Sequence, residues 1–326
     1  MALYNVTHMS DMDGMGSAAL LMHYHGLKKN HLAFANYSGK VFADALRFIR
    51  DIEGSGNILV LTDLGADPHN IKQLVSALSA FKRRDNIIIW LDHHPWESGP
   101  IKSIAPLCYF MVVGENMTTC GTDLVYRILC DKDTFGDSLS RLSHKSDFPR
   151  EPRSPHENAQ VRKLEFAIKY LGHGDKVGNP RLKAFVEDIS RGKYNSPLII
   201  RAWKSYMKEE RKYMKVLEST TKIIQLKRTR LAVGFSTRLQ HTAACIDMMH
   251  THKADVAIFI NTETKRCSIR ADAGFDTSAF ARSFNGGGHV LASGFTLEGY
   301  NVDLSKEKDR QRIFSILELR IRKFYK

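Results

Sequence analysis

The sequence predicts an α/β fold: a parallel sheet with helices on both faces, followed by a second, smaller α/β domain. Three observations carry that reading. Apolar runs of strand length alternate with stretches of helical periodicity through the first hundred residues, the pattern of successive β-α-β units. Three of those runs end in turns rich in Asp and His, where a parallel sheet places its ligands. After a long basic amphipathic segment at 197–218, the texture changes to short paired strands.

Taken in order, residues 2–7 read as a strand, and Gly16 to Met22 as a helix start after an Asp/Gly turn. His31 to Ala35 is the second strand, followed by a helical pattern through Phe42, Ala45, Leu46 and Ile49. A strand at 57–62, a helix over Ile71, Leu74, Leu78 and Phe81, and a buried strand at 86–91 come next. Ile104 to Val113 is read as a further strand and Gly121 to Cys130 as a helix. Residues 131–160 are polar and hold Pro149, Pro152 and Pro155, which predicts mostly loop with short helical pieces. Helical periodicity returns at 161–170 and 182–189.

Residues 197–218 have the length and composition of a connecting helix. Strands at 222–226 and 230–235, a helix at 242–252, and strands at 255–260 and 267–270 follow. The boundaries read are a first domain at 1–195, a linker helix at 196–218 and a second domain at 219–326. No internal repeat and no low-complexity tract interrupts them.

Composition narrows the function classes. With 326 residues, 43% of them hydrophobic, the chain can bury a large core and is not a disordered one. The formal net charge of +13 favours an acidic partner, nucleic acid or a phosphorylated small molecule. Five cysteines, at 108, 120, 130, 245 and 267, form no CxxC pair. That argues against a disulfide framework or zinc-thiolate site and fits a reducing cytosol. No segment has the form of a signal peptide, and no apolar run approaches the roughly 20 residues that span a bilayer. The expectation is a cytoplasmic protein without membrane contact.

The chemistry collects at strand ends. Tyr4-Asn5-Val6-Thr7 runs into His8-Met9-Ser10-Asp11-Met12-Asp13-Gly14. Asn57 to Thr62 runs into Asp63, and Asn86 to Leu91 runs into Asp92-His93-His94. Asp11 and Asp13, two apart in a turn, can face one cavity. Mixed Asp and His suit borderline divalent metals, manganese in particular. Two such ions about 3.5–4 Å apart can bridge a phosphoryl oxygen and activate a water, and Asp63 is placed to be shared by both. Further on, Gly286-Gly287-Gly288-His289 reads as a short braced loop that presents backbone N–H groups to an anion, with His289 beside them. Arg270, at a strand end, can supply a bidentate phosphate contact.

With these residues in view, the chain resembles the DHH phosphoesterase superfamily, in the branch carrying the DHH-associated C-terminal domain. The stretch from His8 to Gly14 is similar to the first motif, Asp63 to the second, and Asp92-His93-His94 to the third. Gly286 to His289 is similar to the signature of the associated domain. The resemblance covers nearly the whole chain. It implies a metal-dependent phosphodiesterase with two divalent ions, Mn²⁺ by preference, and a cleft between the two domains. His8 and Asp11 would hold one ion, Asp13 and His93 the other, and Asp63 would bridge. His94 would contact the scissile phosphate or its leaving oxygen, with Asp92 orienting the imidazoles. A fourth motif supplies one more Asp, assigned to Asp147 in His144-Lys145-Ser146-Asp147-Phe148, with Asp175 as its competitor. Arg270 and the Gly286–His289 loop would grip a terminal phosphate or base.

The substrate class so implied is a short oligoribonucleotide or a linear dinucleotide such as pGpG. Enzymes of this superfamily that process long single strands usually carry an additional nucleic-acid-binding domain, for which these residues leave no room. Adenosine 3′,5′-bisphosphate and cyclic dinucleotides are the alternative substrates, and a non-catalytic nucleotide binder is the alternative class. A homodimer is compatible with the reading.

Overall fold

The computed structural model describes residues 1–36, 39–114, 118–148, 151–152, 154–173, 176–272, 274–297 and 299–324. Two compact units divide it, Met1–Tyr206 and Met207–Lys326.

The first unit is built on strands β1 (Leu3–His8), β2 (Leu32–Ala35), β3 (Ile58–Thr62), β4 (Ile87–Leu91) and β5 (Phe110–Val112). They lie in the order β2-β1-β3-β4-β5, every pair parallel. Around them come α1 (Met12–His25), α2 (Gly39–Asp51), α3 (Ile71–Lys82), α4 (Ser98–Ile104), α5 (Gly121–Leu129), α6 (Thr134–Asp147), α7 (Pro155–Gly172), α8 (Pro180–Ser190) and α9 (Pro197–Thr220). The strands are apolar on consecutive residues because both faces are covered. Val60 and Leu91 enter one core with Leu20 of α1 and Phe185 of α8. Their neighbours Leu61 and Trp90 enter another with Leu46 of α2 and Phe81 of α3. Strand order reverses between β1 and β3, and such a switch point opens a crevice at the carboxyl ends of the strands.

Three sequence expectations change here. The helix read from Gly16 starts earlier: α1 begins at Met12, capped by Asp11, whose carboxylate accepts the Gly14 N–H. Asp13 therefore sits in a helical first turn. The strand expected over Ile104–Val113 shrinks to the three residues of β5, preceded by α4 and a 3-10 turn at Ala105–Leu107. Pro106 lacks the N–H a ladder needs and fits that turn. The expected loop at 131–160 is mostly helix. Asp133 caps α6 by accepting from Gly136, and Ser154 with Glu157 forms a capping box for α7, whose first residue is Pro155. Of the prolines behind the loop reading, Pro149 lies outside the described residues. The helix α9 runs from one unit into the next, with Ile199 and Ala202 in the core of the first and Leu217 in that of the second.

The second unit comprises β6 (Lys222–Gln225), β7 (Arg230–Ser236), α10 (His241–His252), β8 (Val256–Asn261), β9 (Arg266–Ala271), α11 (Thr277–Arg282), β10 (Gly287–His289), β11 (Ala292–Thr296) and α12 (Glu307–Phe324). Its mixed sheet runs β10-β11-β9-β8-β7-β6, with only β7 and β8 parallel. Ala257 and Phe259 pack against Met248 of α10, while Ile258 and Ile269 pack with Phe280 of α11 and Leu317 of α12. Among the described residues no helix is long and apolar enough to cross a membrane.

Candidate metal centre

Three adjacent parallel strands deliver the site. His8 is the last residue of β1, and the α1 cap follows at once. Gly14 makes that tight succession fit: a Cβ there would lie 2.1 Å from the His8 carbonyl oxygen. Gly14→Ala is expected to destabilise the fold by about 1–3 kcal/mol through overpacking, read as a lower urea midpoint; an unchanged midpoint would refute the packing account.

Asp63 follows β3 with φ of +53°, a left-handed conformation uncommon outside glycine. Its N–H donates to the Leu91 carbonyl, which seats it beside the end of β4. Asp92, fully buried, donates its own N–H to Val112 of β5.

The side chains gather as follows. His8 Nδ1 lies 2.7 Å from Asp11 Oδ2 and 3.6 Å from Asp63 Oδ2. His93 Nε2 lies 3.5 Å from Asp63 Oδ1 and 3.6 Å from Asp13 Oδ2, and its Nδ1 lies 3.7 Å from Asp147 Oδ2. Donor atoms of His8, Asp11 and Asp63 fall within 4.8 Å of one another, as do those of Asp13, His93 and Asp147, and of Asp63, His93 and His94. Asp147, read from sequence as a loop residue, is the last residue of α6. Its competitor Asp175 lies outside the described residues. Asp92 accepts from His94 Nδ1 at 2.8 Å and Trp96 Nε1 at 2.6 Å. It thus orients His94, whereas His93 turns to the carboxylates.

Electrostatics show what this cluster could hold. Burial, then the charges of Asp13 and Asp11, push Asp63 up to about 7. Burial and Asp13 push Asp147 up to about 6. Burial works to lower the imidazoles, but the facing carboxylates prevail: Asp11 and Asp63 push His8 up to about 11, and Asp63 with Asp13 push His93 up to about 9. Asp63 Oδ2 is buried with no hydrogen-bond partner. Crowded carboxylates, imidazoles and an orphaned buried oxygen fit divalent cations, which would relieve the repulsion and use that oxygen.

Sequence reasoning missed the support behind these groups. Asp13 accepts the N–H groups of Gly121 and Thr122, the first turn of α5, each at 2.6 Å. A Cβ on Gly121 would sit 3.0 Å from Asp63 Cβ and 3.2 Å from Asp13 Oδ2, so a side chain there would press on both aspartates. The signal that could have located this turn is Cys120-x-x-Asp123, a capping box with cysteine in the serine position.

In the second unit the triple glycine is not a loop. Gly287–His289 forms the edge strand β10, paired antiparallel with β11. A Cβ on Gly286 would lie 2.2 Å from the Gly294 carbonyl, and one on Gly288, at φ of +135°, 2.6 Å from that of Ala292. His289 pairs with Ala292 and Ala292 with Arg270, so His289 and Arg270 share a face of the sheet. His289 is exposed. The Arg270 guanidinium donates to Thr242 Oγ1 at the start of α10 and to the Ile269 carbonyl.

The N-terminal domain of the DHH family matches residues 4–147, from β1 to the aspartate that closes α6. The chain carries a DHH domain. Members of this family are phosphoesterases. No curated protein matches in sequence. Among solved structures, a pGpG-specific phosphodiesterase from Vibrio cholerae is similar over 98% of this chain and 99% of its own, with TM-score 0.54 and 12% identity. An exopolyphosphatase-related protein from Bacteroides fragilis aligns over 97% of this chain and 94% of its own, at 17% identity and TM-score 0.46. RecJ from Thermus thermophilus, solved in complex with Mg²⁺, aligns over 99% of this chain but 49% of its own, at 12% identity and TM-score 0.48. The DHH domain thus places its histidines and aspartates at the carboxyl end of its sheet.

Proposed function

We propose that the protein is a divalent-metal-dependent phosphodiesterase that cleaves short oligoribonucleotides or linear dinucleotides such as pGpG to mononucleotides. The observation that carries the reading is Asp63, a buried carboxylate whose donor atoms lie with those of His8 and Asp11 in one candidate set and with those of His93 and His94 in another, one of its oxygens accepting no hydrogen bond. His8 and Asp11 would hold one cation, Asp13, His93 and Asp147 a second, with Asp63 between them. Manganese suits this mixture of imidazole and carboxylate. When bound, the pair supplies charge neutralisation at the phosphoryl oxygens and a water acidic enough to attack phosphorus.

The protein's own groups do the rest. His94, held through Nδ1 by Asp92 in a hydrogen bond that raises the imidazole against the lowering effect of burial, is the group placed to supply a proton. It gives the proton to the leaving oxygen as the phosphorus–oxygen bond breaks. Trp96 locks the second Asp92 oxygen, so the carboxylate cannot swing away. Arg270 and His289, on one face of the second unit, bind the substrate's terminal phosphate or base.

A length series tests the substrate class. Purified protein with Mn²⁺ is offered 5′-labelled RNA from two to about 25 nucleotides, pGpG, cyclic dinucleotides and adenosine 3′,5′-bisphosphate. Preference for two to five nucleotides supports the reading, as does turnover of pGpG, for which the Vibrio cholerae neighbour is specific. Equal or faster degradation of the long strands, or turnover of adenosine 3′,5′-bisphosphate alone, would refute it. Arg270→Ala is expected to raise KM about tenfold with kcat little changed; a fall in kcat at constant KM would move Arg270 into the transition state.

A further inference from the structure

Behind the candidate metal centre lies an ionic cluster around a buried carboxylate, which the proposed chemistry does not use. Asp123, in the first turn of α5, is 5% exposed. It accepts from Ser140 Oγ at 2.5 Å on one oxygen, and from His144 Nδ1 at 2.6 Å and the Cys120 N–H at 3.2 Å on the other. His144 Nε2 lies 3.2 Å from Glu151 Oε1, and Lys145 Nζ donates to Glu151 Oε2 at 2.9 Å. A histidine between two carboxylates is an ion pair, not a casual contact.

Its place in the chain gives it a consequence. The turn that holds Asp123 is the one whose N–H groups grip Asp13. The helix that holds His144 ends one turn later at Asp147. Asp13 and Asp147 are two donors of one candidate set, with His93 as the third. The Asp123–His144 bond therefore ties the helix end that grips Asp13, the start of α5, to the one that carries Asp147, the end of α6. We infer that Asp123 and His144 are positioning residues, a latch that fixes the separation of Asp13 and Asp147 and so sets the affinity of their site for its cation. The inference rests on the reading that Asp13, His93 and Asp147 hold a cation.

Cys120, Asp123 and His144 also bring donor atoms within 4.8 Å of one another, as a cation site of their own would. Their valences are already filled. Both oxygens of Asp123 carry donors, and the Cys120 side chain accepts the N–H of the third residue of α5. A satisfied network of this kind holds structure. Burial works to lower the His144 imidazole, yet its hydrogen bonds to Asp123 and Glu151 raise it and keep the pair charged.

The test is a calorimetric titration of the full chain, stripped of metal, with Mn²⁺. Removing an outer partner of a metal ligand typically costs 10–100-fold in metal affinity. His144→Ala is expected to weaken one of two binding events by about that factor and leave the other in place. His144→Asn, whose amide can replace the Nδ1 donor, is expected to recover most of the loss. Asp123→Asn, close in shape, gives the same loss as His144→Ala and serves if the latter does not fold. An Asp147→Asn variant that weakens one site while His144→Ala binds as wild type would overturn the latch alone. So would equal losses in His144→Ala and His144→Asn, which would mean packing only. A third Mn²⁺ or Zn²⁺ site abolished by Cys120→Ser would replace the latch with a metal site. If the wild-type chain binds no Mn²⁺, the metal reading of the centre fails and the latch falls with it.

Discussion

Asp63→Asn is expected to lose at least about a thousandfold in kcat, on the order of 4 kcal/mol of transition-state stabilisation, while the metal-free protein becomes more stable. Both effects come from one carboxylate. Asn keeps the shape and the left-handed backbone, which it tolerates well, but cannot serve two cations. The gain in stability follows from proton linkage. A carboxyl raised in the folded state contributes fully below its unfolded value and loses that contribution as pH rises through the folded one. Asp63, pushed up to about 7 by burial and by Asp13 and Asp11, so weakens the wild-type fold between about pH 4 and 7. In EDTA the two proteins should melt together near pH 4 and diverge toward pH 8, the variant melting higher. Equal Tm at pH 8 would dismiss the electrostatic account, and Mn²⁺-dependent turnover by the variant would dismiss Asp63 as the shared ligand.

His94→Gln carries the second large effect, a fall in kcat of about 10²–10⁴ with Mn²⁺ affinity unchanged. His94 stands apart from the other histidines because its Nδ1 is tied to Asp92. That hydrogen bond raises its pKa against the lowering effect of burial, which favours the acid form. The wild-type rate should decline on the alkaline side as that proton is lost, and the variant should lack this limb. A substrate with a good leaving group, such as bis-p-nitrophenyl phosphate, needs little protonation and should be hydrolysed nearly as fast by the variant. Equal losses on both substrates would mean that His94 does not act as the acid.

How much of this was legible depends on the range of the interaction concerned. The parallel sheet could be read because its strands are apolar on successive residues, as at Ile87 to Leu91, a local property. The prolines of 131–160 suggest loop where α6 and the start of α7 lie, although Asp133 and the Ser154–Glu157 pair announce both starts; the rest of α7 shows in the periodicity at 161–170. His8, Asp11, Asp13, Asp63 and His93 could be placed together because parallel strands present their ends at one edge. The direction of Asp92 toward His94 alone could not, since it depends on Trp96 folding back onto the second oxygen. Nor could the tie between Asp123 and His144, a bond across 21 positions with no sequence period behind it. The triple glycine misled because the same freedom that suits an anion-binding loop also suits an edge strand pressed against Gly294 and Ala292.

The strand order has a bearing on synthesis. β1 leaves the ribosome first, yet its inner neighbour β3 begins some fifty residues later, with Thr7 finally opposite Thr62. Until then an apolar strand destined for the middle of the sheet has only β2 beside it. His8 and Asp147 are 139 positions apart (147 − 8), which at 5–20 residues per second means about 7–28 s between their appearances. Over that interval the nascent chain displays an incomplete set of donors next to an unfinished sheet. Capture of a cation by Asp13, His93 and Asp147, the candidate set completed last, would then mark the end of that exposure, and metal supply during translation would influence how much of the protein escapes aggregation.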